Sequence, residues 1–394
     1  MPEEIVILSA KRTAVGSHGG SLKNFSPTDL GVFAARAALE QSGVDPKQIG
    51  HVIFGNVLQA NGQSAYLPRH IGLRVGLNIE TPALLVGRMC TSGYQAIITG
   101  AHELLLGESD FVLAGGTESM SQAPFIAEDV RWGHKLGNAN MRDALMDVLT
   151  DGHADMPMAI TAEELAVRYG ISRQDCDRLA YESQAKAKDA ILKGRFKEEI
   201  VPVEIKDRKG NVTLFDTDEH PRMDATPEAL AKLKPVFKKD GVVTAGNASG
   251  IGDGAAALVL TTASNAKKHG LAPLAKIVAW GVSGCDPKIM GIGVVGATRL
   301  ALKKAGLKLD DIDLMEINEA FAAAYLAVEK ELGLPREKVN VNGGAIALAH
   351  PIGCTGAKLT ATLLYELRRR KARYGLTSAC AGGGQGVAII LESM

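Results

Sequence analysis

No charge of either sign is in excess in this 394-residue chain: 44 Lys and Arg offset 44 Asp and Glu. That balance gives no footing for DNA, RNA or an anionic membrane as partner. Aromatic residues are scarce at 5%. No apolar run approaches the roughly 18 residues a membrane span needs, so none is expected. Cysteines number five, widely spaced and without CxxC or CxxH pairs. A disulfide framework and a zinc site are therefore both poorly supported, and free thiols suit a reducing compartment. The start, Met1-Pro2-Glu3-Glu4, has neither a basic n-region nor an Arg- and Ser-rich character, so no targeting segment is read there and a cytoplasmic location is expected. The phosphate-loop pattern GxxxxGK[ST] and the zinc motif HExxH are missing, and no GxGxxG stands between a strand and a helix. These gaps count against nucleotide hydrolysis, dinucleotide redox chemistry and metalloproteolysis.

What the chain has in plenty is glycine, 44 of them, and small apolar residues, with 46% hydrophobic residues in all. Short apolar runs at Ile5–Leu8, Val52–Phe54, Phe111–Ala114, Ala255–Leu260 and Ala388–Leu391 read as buried strands. Helical patterns alternate with them. Ser26-Pro27-Thr28-Asp29 offers a cap, a proline at the first turn and an acid to close a capping box, and Gly43 is placed to stop that helix. The alternation predicts an α/β fold with a mostly parallel sheet.

An internal repeat shows in the register. Arg36 matches Arg299, Gly43 matches Gly306, Gly93 matches Gly356 and Glu103 matches Glu366, always 263 residues apart. One offset over separate segments predicts two similar halves, residues 1–121 with 248–272 and residues 273–394. Residues 122–247, polar and broken by Pro157, Pro202, Pro221, Pro227 and Pro235, form an insertion between them. Its basic runs, Lys206-Asp207-Arg208-Lys209 and Lys232–Lys239, are either a solvated face or a lid that meets a polyanionic ligand.

Four segments could carry chemistry. Cys90 follows the strand-like Ala83–Val86 and precedes the helical run Tyr94–Leu106. A thiol at a helix start is favoured as thiolate by unpaired N–H groups, although a lone cysteine also serves as a small core residue. His350 lies in a glycine-rich loop before the helical run Ala357–Arg370, three residues ahead of Gly353, the repeat counterpart of Cys90. If the halves are symmetric, the two helix starts face one another and His350 could act as base; otherwise it is a hydrogen-bonded structural histidine. Cys380 precedes Gly382-Gly383-Gly384, whose bare amides could hold an oxyanion or simply turn the chain between two strands. Asn318, after the apolar Leu314–Ile317, either orients a water or carbonyl or caps the next helix.

Together these segments resemble the thiolase family over essentially the whole chain. Cys90-Thr91-Ser92-Gly93 is similar to its nucleophile loop, Asn318-Glu319-Ala320-Phe321-Ala322 to its NEAFA motif, Gly343–Gly356 to its GGAIALGHPxGxSG loop, and Cys380–Gly386 to its CxGGGQG loop. The resemblance implies the thiolase fold: two βαβαβαββ halves forming a layered αβαβα sandwich, with an inserted loop domain that contacts coenzyme A. It implies an acetyl-CoA C-acyltransferase. Cys90 would take the acyl group as a thioester. His350 would help form the Cys90 thiolate and later activate CoA. Cys380 would act as acid and base at the acetyl α-carbon. Asn318, through a water, and His350 would polarise the acetyl thioester oxygen, and the amides of Cys90 and Gly382 would form a second oxyanion hole. Coenzyme A would be a substrate, with no permanent cofactor and no metal. Ser249, Met158, Phe237, Arg222 and Phe321 would contact it. A homodimer or homotetramer is implied too. Met156-Pro157-Met158-Ala159 resembles the mitochondrial-type β-oxidation branch rather than the acetoacetyl-CoA-specific biosynthetic branch, which usually carries His-Met-Gly over residues 157–159. Loss of that polar His suits longer acyl chains. The other readings are that biosynthetic branch, and a non-catalytic acyl-CoA or lipid carrier of the same superfamily. Ala349 departs from the family, where glycine precedes the histidine, and Cys354 stands where a small non-thiol residue is usual.

Overall fold

A computed structural model describes residues 3–128, 130–207 and 209–394; Met1, Pro2 and Arg208, named above, lie outside them. Nine strands form one hydrogen-bonded path. They are β1 (Ile5–Thr13), β2 (His51–Gly55), β3 (Ala83–Val86), β4 (Phe111–Ser119), β5 (Gly252–Thr262), β6 (Ala275–Gly284), β7 (Leu314–Ile317), β8 (Tyr374–Ala381) and β9 (Gln385–Ser393). The order is β7-β8-β9-β6-β1-β5-β4-β2-β3. About the centre, where Ile5–Ile7 pairs antiparallel with Ala275–Ile277, β6-β9-β8-β7 mirrors β1-β5-β4-β2, and β3 extends one edge. Along this path β7/β8, β2/β3 and β2/β4 are parallel and the other pairs antiparallel; off it, Ile200–Val201 runs parallel to the end of β1. The sheet is thus mixed, not mostly parallel. The reason is that each half closes on antiparallel strands, β5 between β1 and β4 in one and the β8–β9 hairpin in the other.

Among the described residues the helices of eight residues or more are α1 (Pro27–Ser42), α2 (Leu67–Arg74), α3 (Ser92–Leu105), α4 (Met158–Tyr169), α5 (Arg173–Leu192), α6 (Gly293–Ala305), α7 (Ala322–Leu332) and α8 (Thr355–Arg370). The period-2 alternation of the strands sorts their side chains into layers. In β5, Ala256, Leu258 and Leu260 face the centre, where α3 and α8 pack; Ala255, Ala257 and Val259 face outward to α1. In β9, Val387 and Ile389 face that same centre, while Ala388 and Ile390 face α6 and α7. The result is α, β, α, β, α, with α3 and α8 as the shared middle layer. This is the thiolase fold expected from the resemblance.

Local chemistry sets the element ends. Ser26 caps α1 with its side chain on the Asp29 amide, Asp29 returns the bond, and Gly43 closes the helix at φ 69°. The repeat is visible in the elements: β2, α3 and β4 begin 263 residues before β7, α8 and β8. β1 and β6 each carry a bulge, at Ile7/Ser9 and Ile277/Ala279. Between β4 and β5 lie α4, α5 and small two-stranded hairpins such as Val203–Lys206 with Val212–Phe215. Among the described residues no helix is long and apolar enough to cross a membrane.

The two middle helices start face to face. A methyl group at Gly93 would stand 2.6 Å from the Ala357 amide nitrogen, and one at Gly356 would stand 2.3 Å from that of Tyr94. No side chain fits there, so glycine is required by close backbone approach. The Cys90 and His350 loops both lead into this crossing.

Candidate active site

Cys90 is half-buried, between β3 and the Thr91 that precedes α3. It packs in a cluster with Leu58, Met120, Leu145 and Ile352. Ile352 belongs to the His350 loop of the other half. The backbone amide of Gly382 donates to the Cys90 sulfur, which favours the thiolate. Burial outweighs that bond and pushes the thiol up to about 11. Cys380 is buried at the end of β8, and burial and the neighbouring Cys90 raise its thiol further. The two sulfurs therefore share one site across the Gly382 turn, where both extra amides and a tight turn are present. Met158, first residue of α4, and Met89 flank that glycine: a methyl group at Gly382 would stand 3.4 Å from Met158 Sδ and 3.5 Å from Met89 Cε. A cavity of about 350 Å3, lined by Met89, Val148, Asp151, Met158, Gly382 and Gly383, opens beside them.

His350 is buried. Its Nδ1 lies 2.6 Å from Thr355 Oγ1, whose hydroxyl donates to the Pro351 carbonyl at 2.9 Å. A hydroxyl has one proton, so with that bond made Nδ1 carries the hydrogen and donates to Oγ1. Nε2 is then left as a free base. Burial and the nearby Lys358 cation lower the imidazole from 6.5 to about 3, so the ring is neutral at physiological pH. Asn318 Nδ2 reaches Nε2 at 3.4 Å, and its Oδ1 is buried without a hydrogen-bond partner. Asn318 does not cap α7, which starts four residues later with Phe321 at the cap position. Its side chain turns instead to the histidine.

Ser249 lies in a loop threaded between the Asn318 and His350 loops. Its amide donates to Ala320, Ala248 bridges Phe321, and His350 donates its amide to Gly250 at 2.8 Å. Arg222 and Phe237 sit on the exposed rim. The Arg222 amide donates to Gln184, whose side chain also reaches the Ile346 carbonyl at 3.4 Å. Among the described residues neither side chain hydrogen-bonds the thiol loops.

Three residues hold the site together without being flagged by the sequence. Thr355 orients His350. Buried Glu118 accepts from the amides of Val57, Leu58 and Gly353 and from Asn56, fixing the loops of both halves; burial still raises its carboxyl to about 8. Glu319 accepts from Ser183, Asn340 and the Ile346 amide, tying α5 to the His350 loop. A signal existed for Glu319, which stands in the Asn318–Ala322 motif, and a weaker one for Glu118, an acid inside the otherwise uncharged β4. Thr355 looked like an ordinary helix-start residue.

With this geometry in place the comparisons are decisive. Residues 5–264 match the thiolase N-terminal domain and residues 271–393 the thiolase C-terminal domain. The chain belongs to the thiolase family. It is 55% identical over 390 residues to the mitochondrial 3-ketoacyl-CoA thiolase of Bos taurus, covering 99% of this chain and 98% of that one. It is 50% identical over 393 residues to beta-ketothiolase BktB of Cupriavidus necator, covering all of both. The crystal structure of human mitochondrial 3-ketoacyl-CoA thiolase in complex with CoA superposes with a TM-score of 0.97 at 53% identity, over 100% of this chain and 98% of that chain. Thiolases of this kind are acyltransferases, and so is this one. The expected cytoplasmic location is overturned: relatives at 54–55% identity are named as mitochondrial. Free thiols suit a reducing compartment but do not say which one.

Proposed function

We propose that this thiolase cleaves 3-ketoacyl-CoA with CoA, giving acetyl-CoA and a shortened acyl-CoA, and runs the reverse condensation, through an acyl group on Cys90. The observation that carries it is the pair of thiols, Cys90 and Cys380, gathered around the Gly382 amide. Carbon–carbon cleavage beside a thioester needs one group to take the acyl unit and another to protonate the departing carbanion in place. Cys90 Sγ attacks the 3-keto carbon while its proton passes to His350 Nε2. Both groups are neutral at rest, so the transfer accompanies attack rather than preceding it. The bond between C2 and C3 breaks, and its electron pair forms the enolate of acetyl-CoA. Cys380 protonates that carbon. His350 passes its proton to the Cys380 thiolate and then takes the proton of incoming CoA, whose sulfur attacks the acyl group and expels Cys90 as a thiolate, to which His350 returns the proton. Asn318, through a water, and His350 hold the enolate oxygen. The amides of Cys90 and Gly382 hold the oxyanion at the acyl carbon, which requires the Gly382 N–H to leave the sulfur.

CoA is read as lying over the Ser249 loop, its pantetheine past Met158, Phe237 and Phe321 and its nucleotide toward Arg222 at the rim. The domain division proposed is residues 1–121 with 248–272, then 122–247, then 273–394, and the assembly a homodimer or homotetramer. The apolar Met89–Met158 wall favours acyl chains longer than acetyl. Relatives named acetyl-CoA acetyltransferase, at 48–49% identity, keep the acetoacetyl-specific reading in view. Thiolysis of acetoacetyl-CoA and of 3-ketoacyl-CoA of rising length decides. Activity that persists or grows beyond four carbons supports the proposed branch. Activity on acetoacetyl-CoA alone selects the other, and acyl-CoA binding without cleavage defeats both.

A further inference from the structure

Ala349, directly before His350, has φ 60° and ψ 168°. That region is close to glycine-only, and a side chain there is strained. A Cβ at Gly252 would stand 3.1 Å from its methyl group, so glycine at 252 is what leaves room for that methyl. Something must hold this peptide. The observed holder is Lys358, on the second turn's inner face of α8 and only 3% exposed. Its ammonium donates to the Leu348 carbonyl at 3.1 Å and the Ala349 carbonyl at 3.2 Å. A buried ammonium needs compensating charge. It is found in a neighbouring cluster, where Arg12 pairs with Glu199 at 2.7 Å and Asp218 at 2.8 Å. Two carboxylates face one guanidinium, and Lys358 supplies the second cation. Burial and Arg12 lower Lys358, while Asp218, the Cys354 thiol and Glu199 raise it.

We propose that Lys358 is a positioning residue: it clamps the strained Leu348–Ala349 carbonyls so that His350 presents a neutral Nε2 to the reacting thiols. The idea rests on the reading of His350 as base. It gives α8 two tasks, since Thr355 sets the ring's tautomer and Lys358 sets the backbone from which the ring hangs. It also explains how this chain tolerates alanine where its family motif has glycine.

The test is a double cycle of Lys358→Met and Ala349→Gly, with His350→Asn as control. Lys358→Met should lower kcat by about 10- to 100-fold, the scale of a misplaced reacting group, with KM for CoA changed much less. Ala349→Gly should restore more activity to Lys358→Met than it adds to the wild type, because glycine takes the backbone shape unclamped. The acid limb of kcat against pH should move upward in Lys358→Met, since loss of a cation raises the imidazole, and Ala349→Gly should not move it back. Should Lys358→Met not fold, Lys358→Gln takes its place; it keeps donors without the charge, so its acid limb should shift with a smaller loss of kcat. Equal effects of Ala349→Gly in both backgrounds, or an unmoved acid limb in either neutral variant, would overturn the clamp. If His350→Asn keeps full activity, the reading of His350 as base fails instead.

Discussion

Replace Thr355 by valine. The shape is nearly kept, a methyl standing for the hydroxyl, but His350 Nδ1 loses its acceptor at 2.6 Å. Both residues are buried, so water cannot take over. An unpaired buried N–H costs about 1–3 kcal/mol. The ring can avoid that cost only by moving its proton to Nε2, and then the base is gone. Either outcome reaches the rate. If the full cost falls on the transition state, kcat drops by about 5- to 150-fold, at a factor of ten for each 1.4 kcal/mol. Thr355→Ser keeps the hydroxyl and should stay within a few-fold of wild type. Steady-state thiolysis of a 3-ketoacyl-CoA, with melting temperature in parallel, checks this. A Thr355→Val enzyme with wild-type kcat would refute the tautomer argument, and with it the claim that Nε2 is the free base.

Other expectations follow from the same geometry. Cys380→Ala should abolish thiolysis yet leave Cys90 open to iodoacetamide and protected by CoA esters, whereas Cys90→Ala should lose both; equal labelling of the two variants would contradict the separate roles. Gly356→Ala puts a methyl 2.3 Å from the Tyr94 amide, and backbone on both sides cannot yield cheaply, so it should destabilise by about 3 kcal/mol or fail to fold, read by denaturant titration. Arg12→Met strands Asp218 and Glu199 in the core and should cost about 3–5 kcal/mol, again read by denaturant. His350 is lowered from 6.5 to about 3 on folding. A lowered histidine stabilises above its unfolded value and loses that contribution as pH falls from about 6.5 toward 3. Relative to wild type, a His350→Asn protein should therefore lose less stability over that range, checked by melting curves at pH 7, 6 and 5.

Much of this was legible beforehand because it depends on local pattern. Strand cores such as Ile5–Leu8, the Ser26–Asp29 capping box and the Gly43 stop follow from periodicity and short-range hydrogen bonds. The 263-residue register makes Gly353 the counterpart of Cys90, which brings His350 near the nucleophile if the two helix starts face one another. Direction of strand pairing was not local: β5 and β9 run antiparallel to their neighbours because of how each half closes on itself, which apolar runs do not encode. Nor could sequence choose between a capping and a reaching Asn318, since that depends on which loop of the other half lies across from it. Sequence by itself determined the α/β alternation, the internal repeat and the residue types able to do the chemistry. Only the tertiary structure decided which nitrogen of His350 is free, that Ala349 is strained, and that Glu118 and Lys358 brace the loops, because each rests on contacts between segments from tens to hundreds of residues apart or on a backbone angle no residue name reveals.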